Sequence, residues 1–368
     1  MDRRHFIKLS LAGLVLTSPL VGCAVLPAGN QPQRFLSAVD TVDGRHFIML
    51  ADNQGRILAS VPVAERCHGG CIRPGSTQVA VFARRPGRAL YILDSQDGTL
   101  QHQLSSGEQH HFYGHGVFSQ DGQYLYATAN HFSDGQGHIR VYDAQQQYRW
   151  IADFSVGGMD PHELRLHPDG TTLVIAMGGI LTHPDYDRIK LNLDSMRPAL
   201  VLMNSQTGAL EQKHEPSHHQ LSCHHLAISS DGIVIAGYQF EGPAWEHPPL
   251  IARLDTTSGR FSEIELPLDR QAAMRNYVAS VAISPGGSLA AITAPRGNRV
   301  VIVDYVQGRY VQDIELPDAA GVLAADQGGF LVTSGVGGIY HIDERTLAVT
   351  HLSAEKLRWD NHLTALSC

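Results

Sequence analysis

From residue 34 onward the apolar positions come in short runs of five to seven residues, and no stretch keeps the three-to-four-residue spacing of a long amphipathic helix. The runs are rich in Val, Ile, Leu, Ala, Tyr and Phe. Asp-Gly, Pro-Gly and Gly-Gly pairs or Asn/Ser/Gln clusters separate them, which predicts strands joined by tight turns. The strands recur in fours. Residues 68–105 read HGGCIRPG, STQVAVFARRPG, RALYILDSQDG and TLQHQLS, and the same plan returns at 115–154, 162–214, 224–266, 279–316 and 320–353. A repeat of about forty residues that cannot bury its own faces points to an array of blades.

The remainder identifies the architecture. Residues 34–62 supply three strands only, and the C-terminal NHLTALSC supplies one strand of the type that opens the other units. Three plus one completes a seventh unit from both chain ends, and a ring closed in this way leaves no terminal edge. The sequence therefore predicts an all-β, seven-bladed β-propeller over 34–368, with six or eight blades as the alternative counts. The insertion at 179–197 makes the fourth blade the least regular.

The opening strands carry the candidate chemistry. Aligned on their turn, the positions seven and six residues earlier are His68-Gly69, Gly114-His115, His162-Glu163, His224-His225 and Ala279-Ser280. Gly321-Val322 and Asn361-His362 follow by pattern. The first strand of a propeller blade lines the central channel, so five blades would bring histidine to one ring: His68, His115, His162, His225 and His362. Neutral imidazoles gathered in this way suit copper, iron or zinc. Asp160, Glu163, Asp360 and Asn361 stand beside these positions and would orient the rings. Cys67 and Cys223 each precede a ring histidine and are candidate thiolate ligands, and His224 is a further candidate. Side-chain alternation argues that His224 and His225 do not both face the axis of a regular strand.

Length and composition allow a packed core: 368 residues, 43% hydrophobic and 17% charged. A net charge of −8 without a Lys/Arg run excludes a nucleic-acid binder. Among weaker candidates, His183, Asp185, Asp187 and Arg188 in the insertion could form a lid or meet a partner. Arg84, Arg85 and Arg88 flank a turn that reads as solvated, with anion binding as the alternative. His110, His111, His214, His218 and His219 lie on connections that either extend the ring or are exposed. Cys67 and Cys71 are close enough to pair locally, and a disulfide or two free thiols both remain open.

The first thirty residues read as an address. Arg3 and Arg4 precede an apolar run, Leu9 to Val21, too short for a stable membrane span. This pattern predicts a twin-arginine-type lipoprotein signal over 1–22. LVGC at 20–23 resembles a lipobox, with Cys23 as the lipidated residue and 23–33 as the tether. The expected location is the periplasmic side of the envelope, on the outer membrane.

FARRPGRALYILD, FYGHGVFSQDGQYLYATAN, DPHELRLHPDGTTLVIAMGGILTHPDYDRIKLNLDSMRP and NYVASVAISPGG resemble the bacterial family known as domain of unknown function 1513, over nearly the whole mature chain. The resemblance implies an exported propeller-like protein. It also implies a setting beside imelysin-type, iron-associated lipoproteins and a di-haem protein, hence periplasmic handling of iron or another redox metal. It brings no catalytic residues. Members often carry Cys where this chain has Ala320. Three functional expectations result: a copper- or iron-binding protein working with periplasmic metal-handling or cytochrome partners; a metal-dependent oxidoreductase with 179–197 as lid and Glu163 as proton handler; or a metal-free interaction scaffold.

Overall fold

The computed structural model describes residues 32–186 and 189–366. Residues 1–31, Asp187, Arg188, Ser367 and Cys368 lie outside the described residues. With them lie the expected signal, the lipidation site Cys23 and most of the tether.

Seven antiparallel sheets stand around one axis. Blade 2 runs Cys67–Ile72, Gln78–Ala83, Ala89–Asp94 and Leu100–Ser105, from the axis outward. Blades 3 to 7 repeat this order, beginning with His110–Phe118, Pro161–Leu166, Leu221–Ile228, Ser280–Ile283 and Ala319–Ala324. Blade 1 takes Arg34–Asp40, His46–Asp52 and Ile57–Val63 from the N-terminal side, and its innermost position comes from the C-terminal end. That innermost strand is divided. Arg358–Trp359 pairs with Val39 and Asp40, Thr364–Ala365 pairs with Phe35 and Leu36, and Asp360 to Leu363 depart from the ladder between them. The single strand expected from the tail is thus two short pieces, because the intervening residues turn toward the axis.

Apolar packing between neighbouring faces holds the ring. Leu36, Ile48 and Leu50 of blade 1 meet Val79, Val81 and Leu93 of blade 2, and similar clusters fill the other six interfaces. Burying each such side chain contributes about 1.5–3 kcal/mol. The second strand of a blade is covered on both faces, which is why Thr172–Met177 is buried throughout. The fourth strand faces solvent on one side, and Leu100–Ser105 alternates accordingly.

Candidate metal centre

The histidines reach the axis through repeated interruptions of the innermost strands. In blade 5, Cys223 pairs with Tyr238 and His225 with Gly237, so His224 is an extra residue with no partner across the ladder. In blade 4, Pro161 pairs with Met177 and Glu163 with Ala176, leaving His162 extra. Blade 2 shifts between Cys67 and Gly70, blade 3 between Phe112 and Gly116, and blade 7 between Ala319 and Val322. A bulge of this kind re-aims side chains. It overturns the expectation from alternation: His224 and His225 both enter one cluster.

The bulges free backbone carbonyls that need donors. The buried Thr128 hydroxyl donates to the His115 carbonyl at 3.2 Å and lies 3.4 Å from the His162 carbonyl in the next blade. Ser37 Oγ donates to the His362 carbonyl at 2.7 Å. Two glycines make room for the rings. A Cβ on Gly69 would lie 2.6 Å from His115 Nδ1. Gly114, at φ +106°, would bring a Cβ within 2.9 Å of the His68 ring.

Three overlapping groups have potential ligand atoms all within 4.8 Å of one another: His115, Glu163, His225 and His362; His68, His115 and His162; and His162, His224 and His225. The structure thus brings together all five histidines of the expected ring, with His224 and Glu163. Ring centroids of His68 and His362 are 4.4 Å apart, those of His115 and His362 4.5 Å, and those of His225 and His362 4.8 Å. Around an ion with bonds of about 2.0–2.1 Å, tetrahedral donors lie roughly 3.4 Å apart, so a small contraction of the first group would suffice. His115 Nε2, His362 Nε2, His162 Nδ1 and both ring nitrogens of His224 are buried without a hydrogen-bond partner. Leaving such atoms unpaired costs about 1–3 kcal/mol each, and an ion accepting the lone pair of one nitrogen per ring removes part of that cost. The buried His/Glu group could hold a metal ion.

Carboxylates orient two of the rings. His68 Nδ1 is 2.5 Å from Asp360 Oδ1, and His225 Nδ1 is 3.2 Å from Glu163 Oε2. Each pairing leaves Nε2 as the metal-facing atom, the usual arrangement behind a histidine ligand. Asp160 lies 3.9 Å from His162 and 3.8 Å from His224, and Asn361 lines the adjoining cavity. Burial pushes the His68 pKa down to about 4, with Asp360 opposing. Burial, reinforced by neighbouring rings, drives His115, His162, His224 and His362 well below the usual histidine range. These rings are therefore neutral at pH 7, the ligating form. Burial alone would raise Asp360, but His68, Arg84 and Arg66 outweigh it and hold the carboxyl well below its ordinary value.

A cavity of about 160 Å³ opens onto His68, His162, His224 and His225. Arg84, Arg85, Lys190 and Arg296 stand around it. The turn expected to be solvated therefore places two of its three arginines at the site. Tyr113, Tyr277 and Gln239 also line it and were not expected.

The cysteines correct the thiolate expectation. Cys67 packs between blades 1 and 2 and Cys223 among blades 4 to 6. Neither joins a group of potential ligands among the described residues. Burial raises both thiols far above their ordinary pKa, which disfavours the ligating thiolate. Cys71 faces the cluster between blades 2 and 3, away from Cys67, and all three are free thiols. Of the lid candidates, His183 is partly exposed and Asp185 is exposed, whereas Ile180 and Lys190 are the residues of this insertion that line the cavity. His111 is satisfied by the Phe112 carbonyl and Asn130. His110, His214, His218 and His219 belong to none of the three groups.

Among solved structures, Kuenenia stuttgartiensis hydrazine synthase aligns with a TM-score of 0.60 at 15% identity, over 92% of this chain and 98% of that one. A chain of a nidogen/laminin complex aligns with a TM-score of 0.53 at 12% identity, over 77% and 94%. At these identities both likenesses show the fold alone. No curated protein matches the sequence. Residues 61–366 match the model of the family described as "Protein of unknown function (DUF1513)". That match spans six blades and the closing strands, and the chain belongs to this family.

Proposed function

We propose that this protein binds one copper or iron ion in the centre of its propeller, through His115, His225 and His362, with Glu163 as fourth ligand or as the partner that orients His225. The observation that carries the reading is the gathering of buried imidazoles, several with unpartnered nitrogens, at bulges in neighbouring blades. A merely structural role would leave those nitrogens uncompensated. Imidazole and carboxylate donors without thiolate suit copper(II), iron or zinc, and the resemblance stated above favours a redox metal.

The protein would act at the periplasmic face of the envelope, exported by the twin-arginine route and tethered through Cys23. It would hand metal or electrons to periplasmic metal-handling or cytochrome partners. The sequence of residues 1–23 supports this location. The cavity beside the rings favours one second reading, a metal-dependent oxidoreductase, since it gives a small molecule access to His68, His162 and His224.

Metal-free protein titrated with copper(II), iron(II) and zinc(II) against a competing chelator tests the proposal. Uptake of one equivalent, abolished by His115→Ala/His362→Ala in a folded variant, is expected. No uptake of any of the three would overturn it.

A further inference from the structure

We propose that the cavity above the histidines binds a small anion carrying a carboxylate or similar oxyanion group. The inference deepens the metal reading, since an anion seated there would lie beside the ion, but its own support is separate.

The first support is charge. Arg84, Arg85, Lys190 and Arg296 line the cavity. Lys190 is paired with Glu241. Arg84 stands 3.6 Å from Asp360 and Arg85 3.7 Å from Asp160, two carboxylates that also serve the rings. Arg296 is exposed, has no carboxylate partner among the described residues, and lies 4.1 Å over the Tyr277 ring. Stacking of this kind fixes the guanidinium plane while its donors remain available. A bound cation would raise the local positive charge further.

The second support is an unused buried donor. Tyr113 lines the cavity, its hydroxyl is buried, and no acceptor takes the hydroxyl proton. An acceptor in the cavity would do so. Arginine forks match the paired oxygens of carboxylates and phosphates, and the enclosure strengthens each contact. The third support is size. At about 160 Å³ the cavity is well below the roughly 300 Å³ or more of a drug-sized ligand site, which limits the occupant to a small molecule.

Calorimetric titration of oxalate and inorganic phosphate into the full chain, metal-loaded and metal-stripped, at fixed ionic strength, tests the proposal. Neutral oxamide serves as the control. At least one anion should bind at a single site, oxamide should not, and Arg296→Gln should weaken the anion about tenfold. Arg296 is exposed, so the variant should unfold at the wild-type temperature. Failure of both anions to bind, or binding indifferent to Arg296→Gln, overturns the proposal. Metal content measured on the same samples separates the two readings. Anion binding to a chain that takes no metal sustains this inference and sinks the other, and metal uptake without anion binding does the reverse.

Discussion

His68 Nδ1 lies 2.5 Å from Asp360 Oδ1, joining residues 292 positions apart. Asp360 sits in the break between Arg358–Trp359 and Thr364–Ala365, the segments that close the ring on blade 1. The same residues that complete the fold therefore orient a ligand candidate. Asp360→Asn keeps the shape and removes the charge. The His68 ring that it holds packs 4.4 Å from the His362 ring and 4.9 Å from the His115 ring, two proposed ligands, so the change should lower metal affinity by about tenfold, read by chelator competition. It also removes the carboxylate that Arg66 and Arg84 share, but both guanidinium groups are partly exposed and Arg66 keeps Asp40, so a stability loss of about 1–2 kcal/mol should accompany it. A folded variant with wild-type affinity would remove Asp360 from the account.

Metal-free protein should weaken as pH falls. His68 titrates near 4 in the fold because burial opposes its charge, and four other rings are lowered in the same direction. In the unfolded chain they titrate near ~6.5. Between those values the unfolded state takes up protons that the folded state refuses. The stability is therefore full above about pH 6.5 and is lost as pH falls toward 4. The urea midpoint should drop steeply from pH 7.5 to pH 5. A midpoint that is flat or rises over this range contradicts the burial of neutral rings.

Two glycines separate backbone strain from crowding at the site. Gly114 and Gly75 both have positive φ, +106° and +67°. A Cβ at Gly75 meets nothing within 4 Å, whereas one at Gly114 meets the His68 ring. Gly75→Ala should cost about 1 kcal/mol and leave metal uptake intact. Gly114→Ala should cost about 1–3 kcal/mol and also reduce uptake. Equal uptake by the two variants would show that His68 is not held in place by this contact.

The thiols should be dispensable for metal. Cys67→Ala/Cys223→Ala leaves small gaps in two apolar clusters, costing about 1 kcal/mol or more at each position. Metal content should stay at the wild-type level. A loss of more than half in a folded variant would return the cysteines to the site.

The blade count and its closure were legible because six opening strands end in a turn pair, and because residues 34–62 lack the strand that the tail supplies. The five ring histidines were legible from that alignment. The bulges were not. Two residues facing one across a ladder look, along the chain, like ordinary alternation, which in a regular strand would have kept His224 and His225 on opposite faces. The same pleat hid the direction of Cys67 and Cys223. Arg84 and Arg85 follow the second strand of blade 2, Tyr277 precedes blade 6, and Arg296 lies in it between Leu289–Ala294 and Arg299–Asp304. Only the ring geometry brings them to one cavity, and no local pattern marks that.

The most direct test of the central claim is the metal content, by elemental mass spectrometry, of protein exported by its native host, beside a His115→Ala/His162→Ala/His225→Ala variant that still folds. The account predicts about one copper or iron per wild-type chain, absent from the variant. A wild-type chain free of metal, even after reconstitution, or equal metal in both proteins, would contradict it.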